Sequence, residues 1–282
     1  MTTMARTRPY DDYVLARDAT EYERLRAQAQ AWEPATERLF DRVGLAPGAS
    51  CLDAGCGPGD VMRLMADRVG PSGHVTGVDV DAEIAGNALA MLHAAGHRQC
   101  WFERLDLEDD APIGGEPFDV VYARLLLFHA HDQLRLLRRL WRAVAPGGCL
   151  VIHEYDVRTA GVVPALHSVD DWKRVVLSAF SDAGRDIHIG QRVPLLFGQA
   201  GIGEPDGTDV AGRLESLRSG GWLFSEVYRS ILPAALRLGI TTETHSARWF
   251  DAFARDTAEH PEFPLMWPLL IGTWKRKPAR SA

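Results

Sequence analysis

The chain has 282 residues, of which 46% are hydrophobic and 24% are charged, and its formal net charge is −7. This composition is typical of a soluble globular protein with room for one α/β domain and an insertion, or for two small domains. The acidic balance argues against a nucleic-acid partner, because polyanion binding requires a surface rich in lysine and arginine.

The sequence carries no sign of a membrane segment. No apolar run approaches the roughly 20 residues of a membrane span, and Met1 to Arg8 lacks the apolar stretch of a signal peptide. We therefore expect a cytoplasmic protein without membrane contact. The cysteines form no CxxC pair, so we expect reduced core thiols rather than zinc ligands or disulfides. They are Cys51, Cys56, Cys100 and Cys149.

The first predicted elements are helical. The pattern from Asp11 to Arg42 indicates two helices, broken at Glu33-Pro34 because an interior proline removes a hydrogen-bond donor and clashes with the preceding turn. These helices must pack on the sheet or over its mouth.

From Ala49 to Tyr155, short apolar runs alternate with helical patterns, which is typical of successive βαβ units and a parallel sheet. Asp81 and Asp132 are the predicted N-caps of two of the helices, because their side chains can accept from backbone N–H groups of the first turn. The five predicted strands cover residues 50–53, 74–80, 100–105, 118–123 and 149–155.

The pattern after Tyr155 is less regular. We expect strands at 206–214 and 265–274 and helices at 169–183, 192–200, 221–239 and 245–260. The last two helices are rich in large aromatic residues, which either line a ligand pocket or form core. These residues are Trp222, Phe224, Tyr228, Trp249, Phe250 and Phe253.

A glycine-rich turn lies directly between the first strand and its helix. A side chain at Gly55, Gly57 or Gly59 would block a ligand from the backbone N–H groups at the helix N-terminus. The dinucleotide fingerprint GxGxxG is not met, because Asp60 occupies the place of its third glycine. Asp53 at the end of the strand suits a ligand with an amino group and repels a pyrophosphate.

The run from Leu52 to Asp60 (LDAGCGPGD) resembles motif I of the class I S-adenosylmethionine (SAM)-dependent methyltransferases. Later runs agree with that family in order: Val75–Val80, Leu105-Asp106-Leu107, Phe118–Arg124 and Leu140–Gly148. The likeness is specific from Ala49 to about Tyr155. Beyond it, the chain is similar in general layout to bacterial small-molecule methyltransferases of the ubiquinone-biosynthesis type and their natural-product relatives.

The resemblance implies a Rossmann-like α/β fold with a seven-stranded, mostly parallel sheet, a helical N-terminal segment and a helical lid insertion. Residues 1–42 would form the N-terminal lid. The SAM-binding core would comprise residues 43–160, 185–215 and 262–277, and the substrate cap residues 161–184 and 216–261.

The resemblance also implies a SAM site that releases S-adenosylhomocysteine. Asp79 would accept from the ribose hydroxyls and Asp106 from the adenine amino group, while Arg124 would hold the methionine carboxylate or form an internal ion pair. The expected cofactor-binding residues are Asp53, Ala54, Gly55, Cys56, Gly57, Gly59, Asp79, Val80, Asp106, Leu107, Ala123, Arg124 and Tyr13.

Methyl transfer at a sulfonium requires mainly proximity and a dry site, so a base is optional. His129 is the candidate base, because imidazole titrates near neutral pH; the alternative is a structural histidine. Glu154 and Tyr155 end the fifth strand on opposite faces, and either could contact the substrate. The expected substrate-binding residues are Glu154, Tyr155, Tyr10, Trp222 and Tyr228.

Several substrate classes are disfavoured. The Asn- or Asp-Pro-Pro-aromatic run of amino-methylating nucleic-acid enzymes is replaced by Ala123–Leu126, and the Pro-Cys pair of pyrimidine C5 enzymes does not occur. No Asp and Asn cluster suggests a divalent ion, so metal independence is expected. A hydrophobic or aromatic small molecule of secondary metabolism remains, methylated on oxygen, carbon or nitrogen.

Two alternatives stay open. The scaffold could bind SAM yet catalyse a cyclisation, decarboxylation or rearrangement, or it could be a nicotinamide-dependent oxidoreductase, for which the glycine spacing is wrong. A homodimer is the default expectation for an enzyme of this size.

Overall fold

The structure is a computed structural model that describes residues 19–109, 111–115, 117–186 and 188–279. The helices in these ranges are α1 (Ala19–Ala31), α2 (Glu33–Val43), α3 (Asp60–Val69), α4 (Ala82–Ala94), α5 (Gln133–Ala143), α6 (His167–Asp182), α7 (Ile189–Gln199), α8 (Leu217–Arg237) and α9 (Glu243–Glu259). The strands are β1 (Ser50–Ala54), β2 (His74–Asp79), β3 (Cys100–Arg104), β4 (Phe118–Arg124), β5 (Val144–Asp156), β6 (Gly161–Val162), β7 (Gly207–Ala211), β8 (Leu214–Ser216), β9 (Pro264–Met266) and β10 (Leu269–Arg276).

The main sheet has seven strands in the order β3-β2-β1-β4-β5-β10-β7. The first five strands of the chain are parallel, and β10 inserts antiparallel between β5 and β7. The predicted fold class is therefore confirmed. Because Asp53 is in register with both Gly77 of β2 and Tyr122 of β4, the carboxyl ends of the central strands meet at one edge.

Helices cover both faces of this sheet. On one face, Leu39 and Phe40 of α2 and Met62 and Met65 of α3 are buried against β1, β2 and β4. On the other face, α5 and α7 contribute buried leucine, valine and phenylalanine side chains to a second core. Asp81 caps α4 and Asp132 caps α5, as predicted.

The N-terminal segment divides into two parts with different packing. Trp32 separates α1 from α2, so the break lies one residue before Glu33. Since α2 packs directly on the sheet, it belongs to the core layers, whereas α1 packs against α3 and α8. Tyr10 and Tyr13 lie outside the described residues.

A cap built from α6, α8 and α9 forms a separate aromatic core. The rings of Tyr228 and Trp249 stack at 4.0 Å, and those of Trp249 and Phe253 at 5.1 Å. A three-stranded sheet in the order β6-β9-β8 lies beside these helices.

The expected strands at 206–214 and 265–274 are each two strands in two sheets, and both expectations were wrong in this respect. Gly212 and Arg213 separate β7 from β8, while Trp267 and Pro268 separate β9 from β10. Proline has no backbone N–H for a strand ladder, which favours a break at Pro268. β8 and β9 therefore belong to the small sheet, although the segments that contain them were expected to form the SAM-binding core.

All four cysteines are buried and free. No helix within the described ranges is both long and apolar enough to cross a membrane.

Gly77 provides a test of the packing between α3 and the sheet. A β-carbon there would lie 2.3 Å from Met62 Sδ and 2.9 Å from Cys56 Sγ. Overpacking of this kind costs about 1–3 kcal/mol, so Gly77→Ala should lower the free energy of unfolding in urea by that amount. Gly86→Ala on exposed α4, where a β-carbon meets nothing within 4 Å, should be neutral or stabilising. Equal stability of the two variants would contradict the prediction.

Candidate active site

The glycine-rich turn leads from β1 into α3 at the carboxyl edge of the sheet. Gly55, Gly57 and Gly59 have φ values of 74°, 46° and 81°, in the region that favours glycine. The N–H groups of Gly55 and Cys56 donate to Val78 O at 2.8 and 3.0 Å, which fixes the turn against β2.

The three glycines face different surroundings. A β-carbon at Gly55 would meet Leu126 Cδ1 at 2.9 Å, and one at Gly59 would meet Ala88 Cβ at 2.9 Å. A β-carbon at Gly57 would meet nothing within 4 Å. Gly55 and Gly59 are therefore required by packing, whereas Gly57 borders open space where a ligand can approach the backbone.

Asp79 ends β2 directly opposite this turn. Its Oδ2 accepts from Gly57 N at 2.9 Å, and its Oδ1 accepts from Asp81 N at 3.0 Å. The side chain is half-buried, and burial raises the pKa of its carboxyl group. A fixed carboxylate with remaining acceptor capacity fits a ligand diol, as expected for the ribose of SAM.

Asp53 is only 2% exposed, and its Oδ2 has no hydrogen-bond partner in the part of the chain that the structure describes. Burial raises the pKa of Asp53 to about 7, with contributions from Asp79 and Asp60, while the charge of Arg124 acts in the opposite direction. A buried carboxyl group with an unsatisfied oxygen fits a cationic donor such as the ammonium group of SAM.

The expected adenine-binding residues lie in the loop after β3. Asp106 Oδ1 accepts from Glu108 N at 2.8 Å, and the buried Arg139 donates to the carbonyl oxygens of Asp106 and Leu107 at 3.2 and 3.1 Å. This arginine, which the sequence analysis did not select, fixes the loop backbone. In the loop after β2, the carbonyl oxygen of Val80 accepts a hydrogen bond from Arg104 Nε at 3.2 Å.

Arg124 ends β4 beside motif I. Its Nη1 donates to Thr36 Oγ1 at 3.2 Å, and it forms no ion pair with any carboxylate of the described chain. Ala123, its neighbour, is fully buried on the opposite face of the sheet.

A buried polar network lies beneath Arg124. Tyr122 Oη and His153 Nδ1 are 2.8 Å apart, and Tyr122 Oη is 3.5 Å from Thr36 Oγ1. Burial and the neighbouring charges of Arg124 and Arg38 lower the pKa of His153 well below its usual value. His153 is therefore neutral and structural.

Glu154 and Tyr155 leave β5 on opposite faces, as the strand alternation predicts. Glu154 is fully buried on the α5 and α7 side, where its Oε1 accepts from Leu127 N at 2.7 Å. The N–H groups of Leu126 and Phe128 also act on this carboxyl group. Glu154 thus supports the loop after β4 from behind, and its role in substrate binding stays a prediction.

The loop after β4 contacts β5 through Glu154 and motif I through Leu126. Leu125 has a φ of 55°, an uncommon value for a leucine, and Leu126 covers Gly55. His129 ends the 3-10 turn Leu127–His129 and is half-buried, and its carbonyl oxygen accepts from Arg185 Nη1 at 2.6 Å. Its role as a base stays a hypothesis.

Tyr155 points toward α1 and the cap. Its hydroxyl accepts from Trp32 Nε1 at 2.5 Å, and the ring of Trp32 lies 6.0 Å from that of Trp267. Trp267 in turn contacts Trp222 at 5.5 Å between ring centroids. Trp222 is half-buried in this aromatic row, whereas Tyr228 is fully buried in the cap core and presents no surface to a ligand.

Four residues at this edge were missed by the sequence analysis: Trp32, Thr36, Arg213 and Trp267. Trp32 lies at the break between α1 and α2, and its aromatic side chain was the one feature of the sequence that could have indicated a place at the site. Arg213 and Trp267 lie at strand junctions with no motif around them.

Comparison with known proteins identifies the family. Residues 22–187 match the family model of the methyltransferase domain. Trans-aconitate 2-methyltransferase from Variovorax paradoxus (strain S110) is 38% identical over 135 residues, 47% of this chain and 48% of that protein. The methyltransferase GfsG from Streptomyces halstedii is 26% identical over 231 residues, 80% of this chain and 76% of that protein. The chain belongs to the class I SAM-dependent methyltransferase family.

The chain spans about half the length of the trans-aconitate methyltransferases that it matches. Among solved structures, the YcgJ protein from Bacillus subtilis has a TM-score of 0.55 at 14% identity and covers 87% of this chain and 99% of its own. The [4+2]-cyclase SpnF has a TM-score of 0.51 at 20% identity, with coverages of 89% and 83%. These two likenesses concern the fold alone.

Asp79→Ala should weaken the binding of S-adenosylhomocysteine, measured by calorimetry, because it removes charge-assisted hydrogen bonds of about 1.5–3 kcal/mol. Asp67→Ala on the exposed surface of α3 is the matched control and should bind normally. A folded Asp79→Ala protein with unchanged affinity would exclude the ribose-binding role.

Burial raises the pKa of Glu154 to about 8, although the backbone N–H groups of Leu127, Leu126 and Phe128 act against this shift. The native state thus prefers the protonated form, and the stability it provides is lost as pH rises from the unfolded value near 4.5 through about 8. Glu154→Gln should escape that loss. Between pH 5.5 and 8.5, its melting temperature should gain on the order of 5 °C relative to the unmodified protein.

The exposed Glu204→Gln variant is the control for this measurement and should follow the unmodified protein at both pH values. Parallel pH profiles for Glu154→Gln and the unmodified protein would show that Glu154 is ionised throughout.

Proposed function

We propose that this protein transfers the methyl group of SAM to a small molecule with an apolar or aromatic surface. The observation that carries the proposal is the pair of carboxyl groups around the glycine turn. Asp79 is fixed by Gly57 N, and the buried Asp53 has one oxygen without a partner in the described part of the chain. A diol and an ammonium group are the ligands that these two positions suit. Family membership supports the same cofactor.

The proposed cofactor contacts follow from these positions. Asp79 would hold the ribose, Asp53 the amino group, and the loop at Asp106 and Leu107 the adenine. Arg124, which lacks a carboxylate partner among the described residues, would bind the methionine carboxylate. When bound, the cofactor supplies an electrophilic methyl group on a sulfonium.

The protein's own contribution is alignment in a site with little water. Leu126 packs over Gly55 and fixes the turn, while Tyr155 and Trp222, which are half-buried, provide an aromatic surface at the same sheet edge with the buried Trp32 behind it. Such a surface suits the body of an apolar substrate. The layout shared with natural-product methyltransferases favours a substrate from secondary metabolism. A cytoplasmic location belongs to the same proposal.

The test is incubation with SAM carrying a labelled methyl group and with extracts of bacteria that make aromatic and polyketide metabolites. S-adenosylhomocysteine should accumulate, and mass spectrometry should find a product one labelled methyl group heavier. Asp53→Asn, which keeps the size of the side chain, should reduce this turnover at least tenfold.

Two results would contradict the proposal. Substrate conversion without S-adenosylhomocysteine would indicate a non-methylating enzyme on the same scaffold. Binding of NADH together with failure to bind S-adenosylhomocysteine would indicate a nicotinamide-dependent enzyme.

A further inference from the structure

The corner between α1 and α2 brings arginine side chains next to the aromatic surface. Arg213, from the junction of β7 and β8, donates through Nη1 to Ala31 O at 2.5 Å. Its guanidinium lies 5.2 Å from the ring centroid of Trp267 and forms an ion pair with Glu215. The guanidinium is thus fixed at the C-terminal end of α1, against an aromatic wall.

Arg124 reaches the same corner from β4. It donates to Thr36 Oγ1 at 3.2 Å, and Thr36 N donates to Trp32 O at 3.0 Å. Both guanidinium groups are therefore hydrogen-bonded to residues next to Trp32 in the α1–α2 corner. Arg213 donates to Ala31 O, and Arg124 donates to Thr36 Oγ1.

Tyr155 reaches the same corner, where its hydroxyl accepts a hydrogen bond from Trp32 Nε1 at 2.5 Å. Although burial raises the pKa of Tyr155, the positive charges of Arg124, Arg24 and Arg213 all act to lower it. Arg124, Arg213, Tyr155 and Trp222 are each half-buried rather than enclosed. The corner therefore has partly accessible guanidinium and aromatic groups, with Glu215 as the carboxylate paired to Arg213.

We propose that this corner binds a carboxylate of the methyl acceptor, with Arg213 as the principal contact and the half-buried Trp222 and Tyr155 beside the apolar part of the same molecule. A guanidinium group provides a planar set of donors that matches a carboxylate, and its interaction is stronger in partly desolvated surroundings. The inference rests on the proposed function, because it names the class of substrate for that site: an organic acid with an apolar or aromatic body.

The cofactor also has a carboxylate. The positions of Arg124 and Arg213 indicate which arginine would bind the cofactor's carboxylate and which would bind that of the acceptor. The charge of Arg124 acts on Asp53 and Asp60 at motif I, as well as on Tyr155. Arg213 lies at the junction of β7 and β8, over the ring of Trp267 and bonded to Ala31 O at the end of α1. Arg124 thus faces the cofactor side of the corner, while Arg213 is on the cap side, where the acceptor would lie.

The first experiment assigns the source of the carboxylate. Calorimetry would compare S-adenosylhomocysteine with 5′-methylthioadenosine, which lacks the carboxylate and the α-amino group of the amino-acid part. Both ligands would be measured with the unmodified protein, with Arg124→Gln and with Arg213→Gln. We expect Arg213→Gln to bind both ligands within about twofold of the unmodified protein, and Arg124→Gln to lose affinity for S-adenosylhomocysteine only. Selective loss of S-adenosylhomocysteine in Arg213→Gln would assign this arginine to the cofactor and overturn the proposal.

The second experiment tests the acid itself. Quenching of tryptophan fluorescence in the complex with S-adenosylhomocysteine would be titrated with 3-phenylpropionate, indole-3-acetate and dodecanoate, each paired with its primary amide. At least one acid should bind about tenfold more tightly than its amide, and Arg213→Gln should abolish the difference. Equal binding of acids and amides, or no binding of any acid, would overturn the proposal.

Glu215 supplies a variant that does not depend on the stability of Arg213→Gln. Because Glu215 is the carboxylate that pairs with Arg213, Glu215→Gln should increase the affinity for the preferred acid about threefold or more and leave its amide unchanged. A purely structural Arg213 would give no such increase. If S-adenosylhomocysteine itself does not bind, the proposed function fails; if it binds and the acids show no preference, only the substrate class fails.

Discussion

The buried carboxyl group of Asp53 is the constraint on which the architecture of the site depends. It lies at the end of a central strand, 2% exposed, and one of its oxygens has no hydrogen-bond partner among residues 19–279 as far as the structure describes them. Removing a carboxylate from water is unfavourable unless a cation or donors replace the solvent. Arg124 provides part of that compensation through its charge, and a cationic ligand would complete it. The parallel register of β1 with β2 and β4 brings these groups to one edge, so the fold itself creates this electrostatic demand.

The loops at that edge are held by contacts from behind. Glu154 binds backbone N–H groups after β4, Arg139 binds carbonyl oxygens after β3, and Asp79 binds Gly57 N. Each of these side chains leaves a backbone segment fixed before any ligand arrives. Such preorganisation reduces the entropy lost on binding and keeps the reacting groups aligned. The positive φ of Leu125 fits the same arrangement, because strain at one residue persists only where its surroundings determine the conformation.

The sequence pattern placed the residues of the proposed cofactor half together, whereas at the proposed substrate half it indicated only Tyr155 and Trp222. Asp53, Gly57 and Asp79 lie at strand ends, where hydrophobic periodicity fixes their place in a parallel sheet. The corner around Trp32 depends on tertiary packing instead, since Arg213 and Ala31 are 182 residues apart in sequence. Periodicity also could not separate β7 from β8, or assign Tyr228 to the cap core, because an aromatic residue gives the same pattern in a core and in a pocket.

Asp53, Asp60 and Asp79 lie on the proposed cofactor side together with Arg124. Arg24 and Arg213 lie on the other side, near Tyr155. This division bears on which atom of an acidic substrate would be methylated. A carboxylate held by a guanidinium loses that stabilisation as its negative charge disappears in the transition state, so methylation there would be slowed by the contact that binds it. The carboxylate at Arg213 is therefore better suited as an anchor, which leaves the acceptor atom elsewhere in the molecule, toward Asp53 and the glycine turn.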